Sequence, residues 1–193
     1  MLHLHSESTK RWLVQVDNHL DELLLDHAHC ERKAASTAMN LMNAYTENLD
    51  ICREMATIVE EELEHFFMVI DILKTRDIPF RRIAPGPYGR KLTALIRQND
   101  PNRAVDRLLV ASLIEARSCE RFRLLADHVA DREPELSAFY AGLFESEARH
   151  HTTYVKLAEH FASREMVRER LTELSKLESE IIAEGSELPR MHS

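Results

Sequence analysis

Glycine and proline are scarce in this 193-residue chain, with only 4 and 6 respectively. Both break helices, and the prolines avoid most of the periodic segments, so long uninterrupted helices are expected and strand-like alternation is hard to find. Three cysteines (Cys30, Cys52 and Cys119) are widely spaced and form no Cys-x-x-Cys pair. That argues against a disulfide framework or a zinc knuckle and for a reducing compartment. No apolar run approaches the length needed to span a bilayer. The N-terminal MLHLHSESTKRWL has neither the basic-then-apolar pattern nor the small-residue cleavage site of a secretory signal. A soluble cytoplasmic protein without membrane contact is the expectation.

Positive charge is also in deficit. The formal net charge is −8, which taken alone disfavours a polyanionic partner. The sum hides a local reversal between Arg76 and Arg107. There, Arg76, Arg81, Arg82, Arg90, Lys91, Arg97, Arg103 and Arg107 face only three acids, Asp77, Asp100 and Asp106.

What is present is helical periodicity. A first helix starts near Ser8 or Thr9 and carries Trp12, Leu13 and Val16. A long one follows from Asp17 or Asn18 to about Tyr45. After a turn at Thr46–Asn48, a second long helix covers roughly Leu49 to Thr75. Residues 78–89 hold three of the six prolines and two of the four glycines and read as loop. A short helix is expected from Arg90 to Gln98, then long helices from about Pro101 to Val129 and from about Glu133 to Phe161. Pro134 is well placed in the first turn of the latter. A charged helix from Ser163 to Glu184 and a loose tail from about 185 to 193 complete the chain. Two hairpins of long helices joined by a long crossover (about 76–100) predict an all-α, ferritin-like four-helix bundle with extra short and C-terminal helices. The whole chain, 1–193, is expected to be one domain.

Glu62 and His65 on one expected helix, and Glu147 and His150 on another, repeat a Glu-x-x-His spacing. Three residues on a helix bring both side chains to one face about a turn apart, where they can share an ion. One copy is weak; a copy in the second helix of each hairpin is far more specific. A dinuclear bundle site adds one glutamate from each remaining helix. Helix one offers Glu31, on a stripe of alanines where a bare carboxylate would be costly. Helix three offers Glu115 or Glu120. In an antiparallel hairpin, residues at one level are equidistant from the turn. Glu31 and Glu62 lie 31 positions apart around the first turn, and Glu115 and Glu147 lie 32 apart around the second. Levelling therefore favours Glu115. The Cys-Glu-Arg repeat shared by Cys30–Arg32 and Cys119–Arg121 keeps Glu120 as the alternative. Many carboxylates with some imidazole suit iron or manganese better than zinc or copper. His27 and Tyr154, each four residues from a ligand candidate, could orient the ligands or simply pack. His151 is off the ligand face.

The blocks Asp26-His27-Ala28-His29-Cys30-Glu31-Arg32, Glu61-Glu62-Leu63-Glu64-His65-Phe66, Ile78-Pro79-Phe80-Arg81-Arg82, Ile114-Glu115-Ala116-Arg117-Ser118-Cys119-Glu120-Arg121-Phe122 and Ser146-Glu147-Ala148-Arg149-His150 resemble the tRNA hydroxylases of the MiaE type. The resemblance runs from about Trp12 to Ile181. It implies a di-iron monooxygenase that hydroxylates the isopentenyl group of 2-methylthio-N6-isopentenyladenosine in tRNA. Carried over by position, the ligands of its two iron ions are Glu31, Glu62, His65, Glu115, Glu147 and His150, with no catalytic residue beyond them. Dioxygen is the co-substrate, and an external donor such as a ferredoxin-type reductase system supplies electrons. The basic segment then has a task, with Arg81, Arg82, Arg90, Lys91 and Arg97 expected to hold tRNA phosphates.

Three other readings compete. A ferritin-like protein handling iron or peroxide would share the metal site, but the four-cysteine domain of a rubrerythrin cannot be built from three scattered cysteines. A di-iron hydroxylase of another small substrate, such as a lipid quinone, would favour an apolar docking surface over an arginine-rich crossover. A metal-free helical interaction module would bind no iron at all.

Overall fold

The computed structural model describes residues 2–193 and contains six helices among them. Helix α1 runs Lys10–Ala44 and is broken at His19, whose φ of −143° and ψ of 38° are not helical. The break falls beside Asp17 and Asn18, where the boundary between two N-terminal helices is expected. Asn48 caps helix α2 (Leu49–Thr75), its side chain accepting from Ile51 N at 3.1 Å. Helix α3 spans Tyr88–Thr93, α4 Asn102–Val129, α5 Pro134–Ala158 and α6 Arg164–Glu184. None of the helices among the described residues is long and apolar enough to cross a membrane.

The short helix α3 begins two residues before the expected start and stops well before Gln98. After Thr93 the chain tightens into turns, Leu95 N donating to Leu92 O and Ile96 N to Thr93 O. Asp106 then takes the chain at Arg97, its carboxylate accepting from the Arg97 backbone N–H (2.9 Å) and from the Arg97 guanidinium (2.9 and 2.7 Å). Arg170 of α6 grips the same carboxylate (2.9 Å twice) and donates to Leu95 O. Asp106 is fully buried. Two guanidiniums on one carboxylate are the compensation such burial requires.

The chain divides into two compact units. One comprises the residues through Leu13, Gly86–Glu187 and His192–Ser193. Here α4 packs along α5, and α6 and α3 lie against α4. Twenty of the 28 residues of α4 are buried, which makes it the axis of this unit. Beside its aliphatic core runs a buried polar network. Arg117 donates to Glu178 (2.9 and 2.8 Å) and Glu120 (3.0 Å), and Tyr88 donates to Glu178 (2.9 Å). The Arg121 guanidinium lies over the Trp12 ring, 4.0 Å from its centroid. Gly185 ends α6 at φ 64° and ψ −161°, a conformation that only glycine adopts without strain.

The other unit comprises Val14–Pro85 and Leu188–Met191. It contains the α1–α2 hairpin and the first half of the crossover. His29 hydrogen-bonds to Arg81 O at 2.8 Å, and Arg81 pairs with Glu22. Arg190 donates twice to Ala84 O (2.9 and 2.8 Å), and Met191 N donates to Asp26 at 2.9 Å.

The expected loose tail is therefore pinned. Arg190, Met191 and Ser193 are buried, Arg121 donates to Ser193 O at 3.0 Å, and the His192 ring stacks on Tyr88 with centroids 4.8 Å apart. A tail too polar to pack on its own is held by fixed partners: buried arginines, an aromatic ring and a carboxylate.

Candidate metal centre

In the α1–α2 unit, Glu31, Glu62 and His65 each offer a ligand atom, and these atoms lie within 4.8 Å of one another. Glu62 is 1% exposed. The spacing works as expected: Glu62 and His65 project from consecutive turns of α2, and Glu31 meets them from α1, Oε2 lying 3.7 Å from His65 Nδ1. His27, one turn before Glu31, brings Nε2 to 2.5 Å from Oε1 of that carboxylate. Burial alone would raise the Glu31 carboxyl. The charge of the adjacent His27 outweighs it and holds the group well below the usual carboxylate range.

In the α4–α5 unit, Glu115, Glu147 and His150 form a second triad of the same composition, again with ligand atoms within 4.8 Å. All three are buried. Glu120, the alternative to Glu115, has another task. Although buried rather than exposed as its arginine-rich surroundings suggest, it accepts from Ser8 N and Ser8 Oγ (2.6 Å each) and from Arg117. The nearby Cys119 thiol is pushed far up by burial and by the charges of Glu147 and Glu115. The thiol donates to Phe144 O at 3.7 Å.

His151, next to His150, faces elsewhere. Its Nδ1 lies 2.7 Å from Ser112 Oγ and 3.0 Å from Ser112 O, and its Nε2 lies 3.1 Å from His3 Nδ1. This anchor to α4 was not legible in the sequence. The only signal was a serine amid the apolar stripe of α4.

The donor set fits metal ions. Three buried oxygen and nitrogen donors in each unit, four of the six being carboxylates, carry negative charge into sites where it must be neutralised. Oxygen-rich donors with one imidazole per triad suit iron or manganese.

The basic crossover residues are placed differently from one another. Arg81 pairs with Glu22 and Lys91 with Glu184. Arg97 is turned onto Asp106. Arg82 and Arg90 are exposed and, among the described residues, make no ion pair.

Residues 1–193 match the family described as tRNA-(MS2IO6A)-hydroxylase (MiaE). The chain belongs to the MiaE family. A tRNA 2-(methylsulfanyl)-N(6)-isopentenyladenosine(37) hydroxylase from Pseudomonas putida is 39% identical over 173 residues, covering 90% of this chain and 83% of that one. A protein of the same name from Salmonella typhimurium is 28% identical, with 98% and 87% covered. Among solved structures, "Protein 43 with aldehyde deformylating oxygenase activity from Synechococcus" superposes with a TM-score of 0.93 at 39% identity, covering 98% of this chain and 95% of that one. Membership of the MiaE family makes the chain a hydroxylase, and the fold is the all-helical, ferritin-like one that the sequence predicts.

Proposed function

We propose that this chain uses two iron ions and dioxygen to hydroxylate the isopentenyl group of 2-methylthio-N6-isopentenyladenosine in tRNA, in the cytoplasm. The observation that carries the proposal is the pair of matching buried triads, one per unit, in a chain that matches the MiaE family end to end. In this reading the two units work as one domain. Glu31, Glu62 and His65 hold one ion, and Glu115, Glu147 and His150 hold the other.

Iron held there supplies the dioxygen chemistry that places one oxygen atom in a C–H bond, the other leaving as water with two protons and two external electrons. The residues do the rest. His27 fixes the orientation of the Glu31 carboxylate, and Ser112 fixes α5 beside His150 through His151. Burial of the ligands keeps bulk water from the reacting atoms. A ferredoxin-type reductase system is the proposed source of electrons.

For tRNA, the support is the reversal of charge in the crossover. Arg82 and Arg90 are exposed for phosphate contacts, with Arg81 and Lys91 able to exchange surface carboxylates for phosphates. Arg97 contributes mainly through Asp106. The target adenosine lies in an unpaired loop and can be presented with little unpairing cost.

The test is mass analysis of nucleosides from isopentenylated tRNA treated with iron-loaded protein, dioxygen and a reductant. Gain of one oxygen on the modified adenosine is expected. No gain with iron bound, or turnover of a fatty aldehyde under the same conditions instead, would overturn the substrate assignment.

A further inference from the structure

Helix α2 has a second face. Its buried side carries Met55, Ile58, Glu62, His65, Val69 and Leu73. Round the helix from them lie Leu63, Phe66, Phe67 and Ile70, at the i, i+3, i+4 and i+7 spacing of one apolar stripe. A stripe of this kind is normally core. Here Phe67 is 62% exposed and Leu63 41% exposed, and Phe80 in the crossover is 42% exposed.

These rings are in register with one another. Phe67 meets Phe66 edge-on at 5.2 Å between centroids, Phe66 meets Phe80 edge-on at 5.6 Å, and Phe80 lies 4.7 Å from the His29 ring. His29 is itself buried and bound to Arg81 O, so the row has a fixed end. Arg81 and Arg82 follow Phe80 directly, and both are exposed. The exposed acids along this stretch of α2, Glu60, Glu64 and Asp71, flank the stripe on the side away from the buried face. The result is a ledge of aromatic faces with cations along one edge.

That combination matches unpaired nucleotides, whose bases stack on rings while their phosphates need positive charge. A purely apolar partner would leave the exposed Arg82 unanswered. A fully paired helix would offer no base faces to the rings. We propose that Phe67, Phe66 and Phe80, edged by Arg81 and Arg82, form a stacking platform for the unpaired bases of an RNA loop. The proposal rests on the tRNA reading above and deepens it. Phe66 directly follows His65, so the platform borders the ligand-bearing face of the same helix. Bases flanking the target nucleotide would be held there while the target turns toward the metal ligands.

The test uses full-length iron-loaded protein and a short anticodon stem–loop RNA with 2-aminopurine in its loop. Stacking quenches this fluorophore. Wild type is expected to bind with quenching. Phe67→Ala and Phe80→Ala should each weaken binding about five-fold or more and lose the quenching, with the salt dependence unchanged. Phe67→Tyr should retain both, whereas Arg82→Glu should flatten the salt dependence. Phe80 lies in a loop, so its replacement leaves α2 intact.

Unchanged affinity and fluorescence in both alanine variants would overturn the platform. So would a wild-type dimer that dissociates in Phe67→Ala with RNA binding intact, which would make the ledge a self-association surface. Slower reduction by an electron-donor protein with RNA binding intact would assign it to that partner instead. Failure of the tRNA reading looks different: wild type itself would neither bind the loop nor oxygenate it.

Discussion

His27 and Glu31 sit one turn apart on α1 with Nε2 and Oε1 only 2.5 Å from each other. An imidazole this close fixes which way the carboxylate turns and stabilises its charge before any metal arrives. His27→Ala should lower metal affinity about 10- to 100-fold while leaving helix content unchanged. Titration against a competing chelator measures this. Equal affinity in the variant would reduce His27 to packing.

Glu115 and Glu120 separate by what holds them. Glu115→Ala should cost the chain one bound ion. Glu120→Gln should keep both ions but lower unfolding free energy by about 1–3 kcal/mol, because Ser8 and Arg117 lose a charged acceptor. Metal content and urea unfolding of the two variants decide between them.

Asp106 gives the fold an acid limit of its own. Burial alone would raise its carboxyl, but hydrogen bonds from Arg170 and Arg97 outweigh that and hold it below the ordinary aspartate value. A depressed folded-state value means its contribution is complete above the unfolded value of about 4 and disappears as pH falls through the folded one. Asp106→Asn should therefore destabilise the protein at pH 7. The gap from wild type should narrow below about pH 4. A constant gap across that range in thermal unfolding would contradict the assignment.

Arg190 holds Ala84 O with two hydrogen bonds, two residues beyond Arg82. Arg190→Ala should loosen the crossover, weakening tRNA binding and raising KM while bound iron and kcat change little. An unchanged KM would show that the C-terminal segment does not position the loop.

The helices were legible because period and breakers agreed: Asn48, Pro134 and the proline cluster mark boundaries that local chemistry alone dictates. The two clusters were legible because Glu-x-x-His spacing and hairpin levelling are properties of helix geometry. What stayed hidden depended on contacts distant in sequence. Asp106 holds the Arg97 backbone from across a loop, and Arg190 and Arg121 pin a tail that has no periodicity. Glu120 is buried by Ser8, more than a hundred residues away. Phe67 belongs to a stripe that reads as core, and only the fold leaves it in solvent.

In the function proposed, the two glutamate–glutamate–histidine triads hold a pair of iron ions. Anaerobic ferrous titration of the metal-free chain tests it most directly. Two ions per chain are expected, falling in Glu62→Ala and in Glu147→Ala. One ion or none in the wild-type chain, or two in both variants, would contradict it.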